Sequence, residues 1–340
     1  MKTRKFIHGN ISVSEIGMGC MGFSHGYGAV PKEDYSIKAI RRAYDEGGCT
    51  FFDTAESYGD VVFYPGHNEQ LVGKAVESIR EKIVLATKFM IESVELTNET
   101  TVLDIIHRHL EKSLSNLRTD YIDLYYLHRI NTAVPVEDIA EAMGMLIKEG
   151  IIRGWGLSQV GVDTLEKAHM ITPVTAVQNL YSMLERDCEK DIFPYCLEHG
   201  IGVVPFSPIA SGFLSGKVTT DTRFEAVDDV RKWVPQLKKE NIIANQPILD
   251  ILAGFSQKKH ATNAQIALAW MLKKYPNVVP IPGSKNQERI LENLGAVNVE
   301  LTDDEFNALE KALTDCTVHG HRGHIESIGK SFGDNWKRKD

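Results

Sequence analysis

Four residues in the amino-terminal half of the sequence have types and spacings that could move a proton. Asp53 and Tyr58 share the segment Asp53-Thr-Ala-Glu-Ser-Tyr58-Gly. Lys88 ends Leu85-Ala-Thr-Lys88, and His128 ends Tyr121-Ile-Asp-Leu-Tyr-Tyr-Leu-His128. Asp53, Lys88 and His128 each follow a short apolar run, and Tyr58 lies in the loop after Asp53. A phenol has an ordinary pKa of about 10, and a neighbouring ammonium favours the phenolate. Lys88 could therefore tune Tyr58 as a general acid, with Asp53 pairing Lys88 and holding it in place. His128 could donate a hydrogen bond to an oxygen on which negative charge develops. Reducing a carbonyl demands such a set, because a hydride must reach carbon while a proton reaches oxygen. Taken singly, Asp53 could cap a loop, Lys88 could be a solvated strand end, and Tyr58 and His128 could be half-buried rim residues. Taken in this order they read as one device whose protons titrate together.

The elements that would position these groups alternate along the chain. Gly9-Asn10 between two short apolar stretches predicts a β-hairpin. Candidate strands follow at residues 15–19, 50–53, 83–87, 121–127, 152–157, 176–180, 202–206 and 278–281. Each is a short apolar run, as expected for a strand covered on both faces. Between them lie helical patterns. Val102, Ile105, Ile106, Leu110, Leu114 and Leu117 share one face, as do Ile139, Ala142, Met143, Leu146 and Ile147 behind Pro135, with Gly150 as the stop. Thr302-Asp-Asp-Glu305 has the form of a capping box and opens a helix to about residue 313. Eight strands alternating with helices suit an α/β fold closed as a (β/α)8 barrel, the doubly wound sheet being the alternative. Residues 207–233 form a polar insertion after the seventh strand. One domain is expected: a hairpin lid over 1–14, the barrel over 15–298, and a C-terminal helix and tail over 301–340.

The one G-x-G-x-x-G, Gly17 to Gly22, opens no helical pattern directly behind it, so a Rossmann site lacks support. The segment from Ile281 through Pro282-Gly283-Ser284 is instead a strand end and turn that lead into a helix starting near Ser284 or Asn286. A helix amino terminus after the last strand is a natural phosphate site. Lys285 and Arg289 lie four apart, so one helical face could offer both to a phosphate.

These segments together resemble the aldo-keto reductase family. The resemblance rests on Asp53 to Gly59, Asn68-Glu-Gln-Leu-Val-Gly73, Leu85 to Lys88 and Tyr121 to Arg129, and it runs from about residue 12 to 298. It implies a (β/α)8 barrel, NADPH as cofactor, and Asp53, Tyr58, Lys88 and His128 as the catalytic set. Histidine at 128 matches the family's pattern for carbonyl reduction. Gly17-Met-Gly-Cys-Met21-Gly22 is similar to the loop beside the nicotinamide ribose. Ser158 and Gln178 would bond the carboxamide, Gln159 would stand where the family has Asn, and Phe206, with Ser207 and Pro208, would stack on the ring where the family has Tyr. Leu214 and Lys217 would belong to the loop over the pyrophosphate. Gly283, Ser284, Lys285 and Arg289 would take the 2′-phosphate end, and Glu292 and Asn293 the adenine. Phe23, Tyr27, Phe89, Arg129 and Trp233 are candidate substrate walls, together with the tail around His319-Gly-His321-Arg-Gly-His324.

Composition narrows the partners. A formal charge of −8, spread along the chain, argues against nucleic acid or an anionic membrane. The amino terminus lacks a signal-peptide apolar core, and no stretch has the roughly 20 apolar residues of a membrane span. Five scattered cysteines without a C-x-x-C pair suit a reduced, cytoplasmic setting, with Cys20 read as a small buried residue. The expected partner is a small carbonyl compound, and the expected state a monomer or homo-oligomer. A slow-turnover, NADPH-binding sensor is the alternative, since such subunits keep the same four residues. A metallohydrolase barrel is disfavoured because no H-x-H follows the first strand, and the His-rich tail lacks the rigidity of a metal site.

Overall fold

The computed structural model describes residues 1–97, 99–226 and 228–322. Two antiparallel strands, β1 (Thr3–Phe6) and β2 (Ile11–Ser14), form the expected hairpin, with Gly9 and Asn10 at φ 87° and 53° in its turn. Seven parallel strands follow in sequential order: β3 (Met18–Gly19), β4 (Phe51–Asp53), β5 (Val84–Phe89), β6 (Ile122–Leu127), β7 (Ile152–Ser158), β8 (Ala176–Gln178) and β9 (Gly202–Val203). The helices alternating with them are α1 (Glu33–Asp45), α2 (His67–Val76), α3 (Val102–Leu117), α4 (Val136–Glu149), α5 (Val162–Ile171) and α6 (Ile192–Glu198). Five more come after β9: α7 (Lys239–Ala244), α8 (Gln246–Lys259), α9 (Asn263–Lys274), α10 (Gln287–Leu294) and α11 (Asp303–Thr314).

The eighth place in the ring belongs to residues 278–281, which are extended without forming a regular strand. Val279 N–H bonds the Val203 carbonyl at 2.8 Å and Ile281 N–H the Pro205 carbonyl at 3.1 Å, while Gly17 N–H reaches the Pro280 carbonyl at 2.9 Å. These bonds close β9 onto β3, giving the (β/α)8 barrel. Pro280 and Pro282 have no N–H to donate, so the ladder there is interrupted.

Alternation within the strands separates two cores. Phe51, Val84, Ala86, Leu124, Tyr126, Ala176, Val204, Val279 and Ile281 fill the barrel interior. Their neighbours Phe52, Leu85, Tyr125 and Val177 face outward onto the helices. The hairpin seals the end where the strands begin. Phe6 packs edge-on to Phe51 at 6.1 Å, and a Cβ on Gly202 would lie 2.3 Å from its ring. Arg4 clamps the hairpin to the carbonyls of Leu272, Tyr275 and Val278 at 2.6, 2.5 and 2.8 Å.

Helix ends follow the sequence signals. Gly150 caps α4 at φ 79°, and Thr302 with Glu305 forms the capping box of α11. Pro135 sits at the N-cap of α4, one place before its first turn. Cys20 is buried, and burial pushes its thiol well above the ordinary range. Among the described residues no helix is long and apolar enough to cross a membrane.

Candidate active site

The inward positions of the strands carry the polar groups. Counting in twos from the interior residues, Phe51 leads to Asp53, Ala86 to Lys88, Tyr126 to His128, Ala176 to Gln178 and Val204 to Phe206. All five therefore project toward the axis at the end where the strands stop, opposite the hairpin.

Lys88 is the hub of this cluster. It is 1 % exposed, and its Nζ donates to Asp53 Oδ1 at 2.5 Å, to the Thr54 carbonyl at 2.7 Å and to the Tyr58 hydroxyl at 3.3 Å. A solvated strand end is thereby excluded. Gln178 Nε2 donates to the other Asp53 oxygen at 2.8 Å. Burial acts to discharge Lys88, but the charge and hydrogen bonds of Asp53 and Tyr58 outweigh it, so the ammonium is held above its ordinary pKa. Burial also raises the Asp53 carboxyl, against Lys88 and Gln178. Tyr58 is raised above the usual phenol value because burial exceeds the lowering by Lys88. The ammonium softens that rise rather than producing a phenolate, and the phenol keeps the proton an acid must give.

His128 meets Tyr58 edge-on at 5.7 Å, and its backbone N–H is fixed by the Phe89 carbonyl at 2.8 Å. Burial, and then the cations Arg129 and Lys88, hold its ring far below the ordinary histidine pKa, so it is neutral. Its buried Nδ1 has no partner among the described residues. The loop bearing Tyr58 is tied from behind. Asn68 on α2 accepts from Thr54 at 2.6 Å and donates to the Cys20 carbonyl and the Ser24 hydroxyl. Glu69 accepts from Thr87 at 2.7 Å. Glu56 is gripped from α3 by His109 at 2.6 Å and Lys112 at 2.9 Å.

A cleft of about 680 Å³ opens over this floor. Asp53, Tyr58, His128, Ser158, Gln178 and Phe206 line it, with Met21, Gly22, Tyr27 and Arg129. Ser207, Pro208, Lys217, Gly283, Ser284, Lys285, Arg289, Glu292 and Asn293 line it as well. Non-glycine backbone at positive φ occurs on the cleft wall at Ser207 (52°) and Ser211 (56°) and in the buried residues Gln159 (57°) and Ala210 (46°), a costly geometry that surrounding structure must hold.

Several expected residues fall elsewhere. Phe89 points outward, stacked on Tyr125 at 4.8 Å, because it follows inward-facing Lys88 by one position. Phe23 is 1 % exposed within the outer core, and Leu214 is fully buried. Gln159 is buried behind the cleft, its Oε1 accepting from Leu180 N–H at 3.0 Å. Trp233 is 64 % exposed and is not part of the cleft wall. Lys285 does not share a helical face with Arg289. Asn286 is the N-cap of α10, its side chain accepting from Arg289 N–H, and Lys285 precedes it. Lys285 Nζ instead bonds the carbonyls of Tyr27, Gly28 and Ala29 at 2.7, 3.0 and 2.7 Å.

His25, Ile209 and Ser211 line the cleft without a sequence signal, while Gly212 and Ser215 come from the loop expected over the pyrophosphate and Arg322 from the tail expected beside the substrate. Arg322 lies inside the His- and Gly-containing tail, where its Nε donates to the Ser207 hydroxyl at 3.2 Å. His319 N–H bonds Asn245 at 2.8 Å, while His324 lies outside the described residues.

Comparison with known proteins agrees with this geometry. The model of the Aldo/keto reductase family matches residues 15–314. A probable aldo-keto reductase 1 of Glycine max is 38 % identical over 314 residues, 91 % of this chain and 88 % of the relative. The structure of a glycerol dehydrogenase from Gluconobacter oxydans superposes with a TM-score of 0.81 at 25 % identity, covering 93 % of this chain and 96 % of that one. An aldo/keto reductase of Klebsiella pneumoniae, solved with NADP and acetate, gives 0.71 at 25 % identity over 95 % and 99 %. With the barrel, the inward polar positions and the family match in agreement, the chain belongs to the aldo/keto reductase family.

Proposed function

We propose that this protein reduces an aldehyde or ketone to the alcohol with NADPH, Tyr58 donating the proton. The observation that carries this reading is the three-way contact of the Lys88 ammonium with Asp53, the Thr54 carbonyl and the Tyr58 hydroxyl at the mouth of the barrel. A cleft of about 680 Å³ suits a small organic substrate and part of a cofactor, within the roughly 300–1,000 Å³ usual for ligand pockets.

The residues present fit NADP(H), in keeping with the family and with relatives solved with NADP and NADPH. The amino terminus of α10 faces the cleft through Ser284 and Asn286, with Arg289 one turn on and Lys217 close by, so cationic and N–H groups gather where phosphates would lie. The Ser211 hydroxyl on the same wall is buried without a partner among the described residues. Ser284, Lys285 and Arg289 would hold the 2′-phosphate, Lys217 and Ser211 the pyrophosphate, and Glu292 and Asn293 the adenine. Met21 and Gly22 would border the ribose, Ser158 and Gln178 would bond the carboxamide, and the Phe206 ring would stack on the nicotinamide. When bound, NADPH supplies the hydride that reaches the carbonyl carbon.

The protein's own residues handle the proton and the charge. Tyr58 gives its proton to the carbonyl oxygen and recovers one from solvent through the open cleft. Neutral His128 donates to the same oxygen as charge builds there. Lys88 stabilises the phenolate left on Tyr58, and Asp53 fixes Lys88. The direct test is NADPH consumption over a panel of aldehydes, ketones and sugars, with the product identified. Stoichiometric alcohol supports the reading, whereas tight NADPH retention without turnover on any of them overturns it.

A further inference from the structure

Arg129 follows His128 directly, and its guanidinium lies on the wall of the cleft. Its Nη1 donates to the His128 carbonyl at 2.5 Å and to the Ser158 hydroxyl at 3.1 Å. No carboxylate pairs with it among the described residues, and the one facing group that favours its charge is Tyr58. Three other shielded arginines of this chain are paired, whereas Arg322 on the same cleft wall has the Ser207 hydroxyl as its side-chain partner among the described residues. Arg80 meets Asp123 at 2.7 Å, Arg231 meets Asp229 at 2.6 Å and Arg186 meets Glu189 at 2.9 Å. An arginine stays charged whatever its surroundings, so an unpaired one beside a cleft calls for an anion.

The cofactor does not meet that need. Ser158, the side chain Arg129 touches, belongs to the set assigned to the neutral carboxamide, while the phosphates fall to Ser284, Lys285, Arg289 and Lys217. The acids on the cleft wall do not meet it either. Asp53 is engaged by Lys88 and Gln178, and Glu292 by Thr262 at 3.0 Å and Lys217 at 3.6 Å. Asp60 is exposed, and its charge acts on His25. A second donor stands near the phenol. His25 Nδ1 accepts the Gly59 N–H at 2.9 Å, which leaves the proton of the neutral ring on Nε2, and the ring meets Tyr58 edge-on at 5.4 Å.

We propose that Arg129 receives a carboxylate or similar oxyanion carried by the carbonyl substrate, so that this enzyme takes anionic aldehydes or ketones in preference to neutral ones. The proposal rests on the reading of Tyr58 as the proton donor of a carbonyl reductase. Arg129 is then a specificity residue, touching the non-reacting end of the substrate.

The test separates binding from turnover. Benzoate and benzamide, equal in shape and different in charge, are titrated calorimetrically into enzyme saturated with NADP, for wild type, Arg129→Met and Arg129→Lys. Wild type should bind benzoate about tenfold or more tightly than benzamide, as a charge-assisted contact provides. Arg129→Met should erase that preference while still binding NADP, and Arg129→Lys should restore part of it. In parallel, kcat and KM are measured for the ortho, meta and para carboxybenzaldehydes and their methyl esters. The acid should be favoured through KM, and Arg129→Met should remove that advantage with little change in kcat. Equal binding of benzoate and benzamide by wild type, or loss of both ligands alike in Arg129→Met, overturns the proposal. Binding with the expected preference but no reduction of acid or ester refutes the reductase reading and leaves the anion site standing.

Discussion

The Lys88 ammonium donates to the Tyr58 hydroxyl across 3.3 Å while its shorter bond, 2.5 Å, goes to Asp53. The charge that would stabilise a phenolate is therefore anchored by a carboxylate before any proton moves. Replacing Lys88 by Met should remove that stabilisation and leave Asp53 buried without its cation. Loss of the acid's partner is expected to lower kcat by about 10²–10⁴. The stranded carboxylate should cost about 3–5 kcal/mol of stability. Urea unfolding of Lys88→Met and of the double variant Lys88→Met/Asp53→Leu checks this. The double variant should regain stability and stay inactive.

Cofactor choice should divide between two basic residues that the structure treats differently. Arg289 is exposed on α10, so Arg289→Ala should weaken NADPH by about tenfold and leave NADH nearly unchanged. Lys285 also ties down residues 27–29, so Lys285→Ala should weaken both nucleotides, NADPH more. Fluorescence titration of each nucleotide checks this, and equal losses for the two in Arg289→Ala would refute the 2′-phosphate assignment.

This contrast marks where the sequence was legible. Asp53, Lys88 and His128 could be read because each continues an inward-facing series of strand residues, Phe51, Ala86 and Tyr126, at a spacing of two. The same count places Phe89 outside, away from the substrate wall it was expected to join. Phe23 had no strand of its own to give it a side. Lys285 was placed on a helix that begins two residues later, at Gln287, since Ser284 and Asn286 are both acceptable N-caps and only the side-chain bond to Arg289 N–H decides between them. His25 and Arg322 come from loops, whose paths no periodicity records. The eighth barrel segment was found by its apolar run, whereas the prolines that interrupt its ladder explain why it is not a regular strand.

Stability should depend on pH through His109. Burial lowers its pKa, but Glu56 and Glu95 raise it more, so the folded value lies above the ordinary 6.5. A raised histidine contributes fully below the unfolded pKa, and that contribution disappears as pH rises through the folded one. The destabilisation caused by His109→Gln should therefore be larger at about pH 6 than at about pH 9. Urea midpoints at the two pH values measure it, and a penalty independent of pH would show that the imidazolium contributes nothing.

The two ends of the barrel should separate stability from chemistry. Phe6 is 1 % exposed at the end sealed by the hairpin, so Phe6→Ala should cost about 3–5 kcal/mol. NADPH affinity and kcat of the molecules that remain folded should stay close to wild type. Denaturant titration and kinetics on the same preparation test this, and a selective fall in kcat with stability intact would contradict it.

The central claim is that Tyr58 supplies the proton. Stopped-flow oxidation of bound NADPH by a reactive aldehyde, in wild type and Tyr58→Phe, measures it most directly. Tyr58→Phe should bind NADPH as wild type does and carry out hydride transfer about 10²–10⁴ times more slowly. A Tyr58→Phe enzyme that binds NADPH and oxidises it at the wild-type rate would contradict the account.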